Sequence, residues 1–211
     1  NIFYKHYDIA NQYIPSKFIA IEIGPGDDLS SAAFFENEKF IQYFFIDKKD
    51  YVSKNKNKDK KYLTDGASSF EFIDDNSVSY IFANSVFQHI EQNEINIYFK
   101  EIHRVLDQGG VLSLVIDFKD MIDESLFMHL IPNSIWNSSL LKTKLFYTNK
   151  LLINDYESFF KSYGLEIVYK NPSYFKNMNH VKFVQRFSNK KESNLLISGC
   201  HYVLRYKDSL T

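Results

Sequence analysis

Gly24-Pro25-Gly26 follows directly on the apolar run Phe18–Ile23, in which Glu22 is the single acid. Glycines placed after a buried strand let the backbone approach a ligand that a side chain would block. In an open α/β sheet, ligands bind beyond the carboxyl ends of the strands. Asp47 ends the next apolar run, Phe40–Ile46, and lies 25 residues after Glu22. That is near the roughly 20-residue interval over which a carboxylate reaches ribose hydroxyls in dinucleotide folds. The chemistry these residues suit is the holding of a nucleoside-bearing cofactor, with NAD as the first candidate. The NAD fingerprint is G-x-G-x-x-G, whereas Gly24-x-Gly26 is followed by Asp27, Asp28 and Leu29. A pyrophosphate would meet two carboxylates at the mouth of its helix. S-adenosylmethionine (SAM) carries no phosphate and bears a cationic sulfonium and ammonium, so the same acids suit it.

Strands and helices must alternate to position these residues, which favours a mostly parallel sheet with helices on both faces. Phe18–Ile23, Phe40–Ile46, Val78–Ala83 and the apolar Val111–Ile116, which stops at Asp117, read as buried strands. Leu29–Glu38 reads as a helix, and Ile95–Leu106 has the apolar period of an amphipathic one. Asp107-Gln108-Gly109-Gly110 is expected to end that helix with glycines in left-handed backbone. Lys48–Lys61 holds seven lysines and reads as a solvated loop or polar helix face. From Phe118 to Leu152 the pattern loosens into an insertion over the carboxyl edge of the sheet. Asn154, with Glu157 three residues on, is expected to cap a short helix closed by Gly164. Leu165–Tyr169 and Leu195–Tyr206 read as the closing strands, with the polar, basic segment Asn171–Ser193 partly a loop.

A chain of 211 residues suits one such domain and is too short for two. Its net charge of −1 calls for neither nucleic acid nor an anionic membrane. Aromatics are heavy at 17%, which reads as a codon bias shared with the abundant Asn, Lys and Ile. One cysteine, Cys200, precludes an internal disulfide and makes a reducing cytoplasm the default. No apolar run has the length of a membrane span, and no signal peptide opens the chain. Asn1 in place of Met reads as a chain shortened at its N-terminus. No Cys/His cluster has metal-ligand spacing, so no metal is expected.

Over nearly its whole length the chain resembles the class I SAM-dependent methyltransferases. Ile21-Glu22-Ile23-Gly24-Pro25-Gly26 resembles their glycine-rich first motif, and Phe45-Ile46-Asp47 the acidic end of their second strand. Thr64-Asp65-Gly66 resembles the turn whose acid reaches adenine. Asp75 to Ile90 is similar to the fourth strand and its following loop, and Glu101 to Gly110 to the helix and turn before the fifth. Asp28 stands where the third glycine of the first motif is usual, and Ser79 where the fourth-strand motif has an acid. A narrower resemblance, to a bacterial subgroup linked to surface polysaccharide biosynthesis, rests on four segments. They are Gly24 to Leu29, Ile116-Asp117-Phe118-Lys119-Asp120, Leu145 to Lys150 and Asn194 to Gly199.

The resemblance implies a Rossmann-like, seven-stranded fold formed by a single domain, with residues 118–152 as a substrate-side insertion or lid. It implies SAM as cofactor and S-adenosylhomocysteine as product. Glu22, Gly24, Pro25 and Gly26 would meet the methionine end, Asp47 the ribose, and Asp65 with Gly66 the adenine. Ser85 or Phe87 would line the pocket. His89 is the candidate base, because the loop after the fourth strand faces the methyl group, and Asp117 and Asp120 would orient an acceptor hydroxyl. Trp136, Tyr147 and Asn149 would cover the acceptor. His103, beside Arg104 on a helix face, reads as structural. The expected reaction is O-methylation of a sugar or related group destined for capsule or surface polysaccharide. Methylation of a small phospho-acceptor, such as a capsular phosphoramidate precursor, is the alternative if the lysines of 48–61 face the pocket. A SAM-binding partner subunit without catalysis is the reading from another class. The oligomeric state is left open.

Overall fold

A computed structural model describes residues 2–26, 31, 40–50, 60–142, 147–177, 179–188 and 191–206. Phe18–Ile23 (β1) lies between two parallel neighbours, Phe40–Ile46 (β2) and Val78–Asn84 (β4). Strands covered on both faces must be apolar throughout, which explains why β4 is buried from Val78 to Ala83. Lys60–Leu63 (β3), Leu106–Asp117 (β5), Leu165–Tyr174 (β6) and Ile197–Tyr206 (β7) complete the sheet. Its order is β3-β2-β1-β4-β5-β7-β6, seven strands as expected. β7 runs antiparallel to both its neighbours, pairing Asp117 with Gly199 on one side and Leu165 with Tyr206 on the other. Strand order reverses between β1 and β4, and that switch point is where the carboxyl-edge crevice opens.

Helices cover both faces. Ile2–Ala10 (α1) packs through Ala10 and Tyr7 on the face carrying Phe18, Ala20, Tyr43, Tyr80 and Phe82. Gln92–Val105 (α2) buries Ile95, Tyr98, Phe99, Ile102 and Val105 in the opposite core, beside Ile21, Ile23 and Phe44. Further α-helices among the described residues are Asn133–Trp136 (α3), Ser139–Lys142 (α4), Ile153–Ser162 (α5), Asn179–Phe187 (α6) and Glu192–Leu195 (α7).

Four local expectations are corrected. Lys60–Leu63 is a strand, not loop; charged side chains are what a short edge strand carries to stay unpaired on its outer side. Asp107–Gly110 belongs to β5 as a bulge, since the register jumps from Val78–Leu106 to Tyr80–Val111, and neither Gly109 nor Gly110 is left-handed. Gly110 is instead required by crowding: a Cβ there would lie 2.6 Å from Leu106 Cδ1. Ser79, standing where an acid is usual, donates to the Asp107 carboxylate at 2.7 Å and pins this bulge. α5 is capped at Leu152 rather than Asn154, because Asp155 reaches back to accept the Leu152 N–H at 2.8 Å. Asn171–Ser193 is partly loop, as expected, and also holds the end of β6 and the helix α6, while the last strand begins at Ile197 rather than Leu195. Of the helix expected over Leu29–Glu38 only Ser31, which is helical and buried, lies within the described residues.

Ser113 interrupts the apolar face of β5 and is buried between two histidines. His6 Nδ1 lies 2.7 Å from its hydroxyl, His201 Nε2 lies 3.0 Å from it, and His6 Nε2 lies 3.4 Å from Asn84 Oδ1. An amide oxygen only accepts, so His6 carries its hydrogen on Nε2 and takes the Ser113 proton on Nδ1; Ser113 in turn accepts from His201. Burial, aided by His201 and Lys5, pushes the His6 imidazole down to about 3. Burial and Lys5 push His201 down to about 4. Both values lie below the unfolded value near 6.5, so the unfolded chain takes up protons first. Stability from this pair is complete above about pH 6.5 and is lost as pH falls toward the native values, by up to roughly 1.4 kcal/mol per histidine per pH unit. Urea midpoints measured from pH 7 to pH 5 are expected to fall steadily. A profile as flat as that of a His6→Phe, His201→Phe variant would contradict this account.

Candidate active site

The glycine loop continues the sheet before it turns away. Gly24 N–H donates to Ile46 O at 2.7 Å, and Gly26 N–H donates to Asp47 Oδ2 at 3.2 Å. Gly24 sits at φ +70°, and a Cβ there would fall 2.4 Å from Val86 Cγ2, so both its backbone angle and its surroundings exclude a side chain. Asp47 is the hub of this edge. Its Oδ1 accepts from Lys48 N–H at 2.7 Å and its carbonyl accepts from Gly66 N–H at 2.9 Å. Beyond these residues opens a cavity of about 530 Å³, within the ~300–1,000 Å³ usual for small-molecule sites. Gly24, Gly26, Asp47, Ser85, His89 and Tyr147 line it together, six of the residues singled out from sequence.

His89 follows β4 in a single helical turn, Phe87–His89, and its Nδ1 lies 2.7 Å from the carbonyl oxygen of Tyr147. A carbonyl cannot donate, so Nδ1 carries the hydrogen and the neutral ring keeps its unshared pair on Nε2. The histidine on the cavity wall is thus held in the tautomer that a base needs. Tyr147 is not a second base. Burial, with Glu91 and Glu94 nearby, pushes its hydroxyl up to about 12, and it donates to Asn137 Oδ1 at 3.1 Å.

Asn149 fixes this arrangement from beneath. Its Nδ2 donates to the carbonyls of Phe87 and Ile90 at 2.8 and 2.9 Å, and its own N–H donates to Gln88 O at 2.7 Å. Asn149 is buried, so it clamps the loop carrying His89 to the insertion rather than covering an acceptor. Asn149→Ala takes the side-chain donor from the Ile90 carbonyl in the interior, at about 1–3 kcal/mol, whereas Phe87 O keeps the Tyr156 hydroxyl at 3.0 Å. The variant is expected to melt several degrees lower and to lose turnover more than SAM affinity. Unchanged turnover in a folded variant would remove the clamp from the site.

The other predicted residues lie elsewhere. Strand alternation turns Glu22 to the face of Phe18 and Ala20, where it accepts from Ser31 and, at 2.9 Å, from Tyr43. Burial and the Glu22 carboxylate raise the Tyr43 hydroxyl well above its usual range, so it stays a donor. Pro25 and Gly66 flank the cavity without lining it, and Asp65 is exposed at the turn before Gly66–Phe72. Phe87 is core, packed on Tyr98 and Phe99. Asp117 does not line the cavity. Asp120 binds its own turn, accepting from the N–H groups of Ile122 and Asp123 and from the Ser125 hydroxyl. Burial would raise its pKa, but these hydrogen bonds together hold it below the ordinary value. Trp136 is buried, donating to Thr148 O at 2.6 Å. His103 is structural, bonded to Tyr206. Asp27, Asp28, Leu145 and Phe146 lie outside the described residues.

Sequence reasoning missed Glu91, Glu94 and Tyr98, which line the cavity from the start of α2. Their spacing of three and four residues marks one helix face and was legible. Lys48 pairs with Glu94 at 2.9 Å and Lys142 of the insertion with Glu91 at 2.6 Å, so two ion pairs line the cavity.

Residues 21–114, from β1 into β5, match a family model described as a methyltransferase domain. No curated protein matches the sequence. Among solved structures, a SAM-dependent methyltransferase of Methanosarcina mazei superposes with a TM-score of 0.62 at 15% identity, over 93% of this chain and 95% of that one. Phosphoethanolamine N-methyltransferase 2 of Haemonchus contortus, solved with SAM, gives 0.62 at 13% identity over 97% of this chain. Only 52% of that protein is covered, so the present chain spans about half its length. Cyclopropane synthase MmaA2 of Mycobacterium tuberculosis gives 0.57 at 15% identity, over 93% and 81% of the two chains. At such identities the likeness speaks for the fold.

Proposed function

We propose that the chain is a class I SAM-dependent methyltransferase that methylates an acceptor oxygen, with His89 taking the acceptor's proton. The observation that carries this is the hydrogen bond from His89 Nδ1 to Tyr147 O, which leaves Nε2 basic on the cavity wall. SAM suits the residues present: two glycines open the backbone to it, Asp47 offers carboxylate lone pairs to ribose hydroxyls, and no cradle for a pyrophosphate is needed. When bound, SAM supplies a methyl group already activated on a cationic sulfur. The protein has then to hold it, aim the acceptor and exclude water. His89 accepts the hydroxyl proton on Nε2, and the Tyr147 carbonyl steadies the resulting imidazolium through Nδ1–H. Lys142 and Tyr147 bring the 118–152 insertion to the cavity as one wall, where it acts as the acceptor-side lid.

The acceptor we favour is a sugar hydroxyl of a capsule or surface polysaccharide precursor, met in the cytoplasm. Its support is the subgroup resemblance at Ile116–Asp120 and at Leu145–Lys150. Within those segments Asp120 braces its own turn of the insertion, and Asn149 clamps the insertion to the loop carrying His89. A phospho-acceptor is the second reading, favoured because Lys48 and Lys49 do line the cavity. Methyl-labelled SAM offered with nucleotide-linked sugars, and separately with phosphate monoesters and phosphoramidates, distinguishes the two. Label on a sugar oxygen, lost in His89→Ala, is the expected result. Label confined to the phosphorus-bearing acceptors would move the assignment to the second reading.

A further inference from the structure

The carboxyl edge that carries the cavity also carries α6, inserted between β6 and β7. α6 buries Val181 and Val184 and packs against the turn Phe127–Leu130 of the insertion. Its outer face is unusual for a protein surface. Phe183 is 49% and Phe187 64% exposed, their rings 5.0 Å apart, and Phe127 packs on Phe183 at 6.0 Å, making one aromatic row in water. Lys182 and Arg186 are exposed beside that row, and no acid occurs from Asn179 to Phe187. Neither cation has an ion pair among the described residues. The nearest flanking acid, Glu192, faces Gln185.

We infer that α6 docks the enzyme on an anionic lipid surface, with Phe183 and Phe187 entering the interface and Lys182 and Arg186 meeting the head groups. The charge argument is local: a chain of net charge −1 concentrates two unpaired cations on one face of one helix, beside exposed aromatics. Aromatic rings flanked by Lys and Arg are the composition that lies in the head-group layer. A protein partner would be expected to cover the rings and leave the cations at a rim, whereas here the two kinds alternate along the same exposed strip. No helix among the described residues is long and apolar enough to cross a membrane, so contact would be peripheral. It would bring the carboxyl edge of the sheet toward the bilayer, where an acceptor joined to lipid would be met. The docking itself does not depend on the acceptor's identity.

Cosedimentation of the full chain with vesicles of phosphatidylcholine alone, and of phosphatidylcholine mixed with phosphatidylglycerol, tests this. Binding to the anionic vesicles is expected to be roughly tenfold stronger or more, the order given by two cations near a negative surface, and to weaken with salt. Phe183→Ser with Phe187→Ser, and separately Lys182→Glu with Arg186→Glu, should each abolish the preference while SAM affinity and melting temperature stay unchanged. Equal or absent binding to the two vesicle types would overturn the inference. So would a wild-type dimer, made monomeric by either pair of substitutions and indifferent to vesicles, since the face would then belong to a second copy of the chain.

Discussion

His89→Ala is expected to lower kcat by about 10²- to 10⁴-fold, the range over which a positioned acid or base contributes. SAM affinity measured by calorimetry should hardly change. The split follows from geometry: His89 stands on the cavity wall after β4, whereas the backbone hydrogen bonds of the cofactor edge run through Gly24, Gly26, Asp47 and Gly66. Removing the ring also frees the Tyr147 carbonyl, but that group lies at the cavity and can take water. If turnover survives the substitution, His89 is not the base and proton removal falls to solvent or to the acceptor itself.

Gly24→Ala should act in the opposite sense, on binding before chemistry. An alanine at φ +70° carries a backbone cost of roughly 1–2 kcal/mol, and its Cβ would overlap both methyls of Val86 at 2.4 and 2.7 Å. Relief means shifting the loop and breaking the Gly24–Ile46 hydrogen bond. A fall in SAM affinity of about a hundredfold, near 2.7 kcal/mol, is expected while the fold persists. Two companions sharpen the test. Val86→Ala on the Gly24→Ala background should recover part of the loss by removing the overlap. Gly26→Ala, at φ +68° but with open space around the added carbon, should carry the backbone cost without the overlap and so cost less. Equal losses at Gly24 and Gly26 would show that backbone angle alone matters.

The central strands were legible because burial on both faces leaves Glu22 the one polar residue between Phe18 and Ile23 and Ser79 the one between Val78 and Ala83. The acid and glycines at their ends mark the edge where the cavity opens, and six of the named residues meet there. What was hidden depends on contacts remote in sequence. His89 and Tyr147 stand 58 residues apart, so nothing local announces the tautomer. Asn149 looked like an acceptor contact because a loop asparagine usually faces water, yet it is buried and fully engaged. β3 was obscured by Lys60 and Lys61, whose charge reflects its place at the edge of the sheet rather than any lack of strand. Glu22 is a different lesson: alternation along β1 already placed it with Ala20, on the face away from Ile21 and Ile23.

The position of β7 bears on how the chain acquires its shape during synthesis. β7 is the last strand of this sheet to be made, yet it pairs with β5 on one side and β6 on the other. Until Ile197–Tyr206 has left the ribosome, β6 has no neighbour, and the half from β3 to β5 must wait with an open, apolar edge at Val111–Ile116. Domains on the ribosome tend to fold as units, and unpaired edges are where growing chains aggregate. A nascent chain stalled just before Ile197 would therefore be sensitive to proteases from β6 onward. One stalled far enough beyond Tyr206 to free the strand would be resistant throughout.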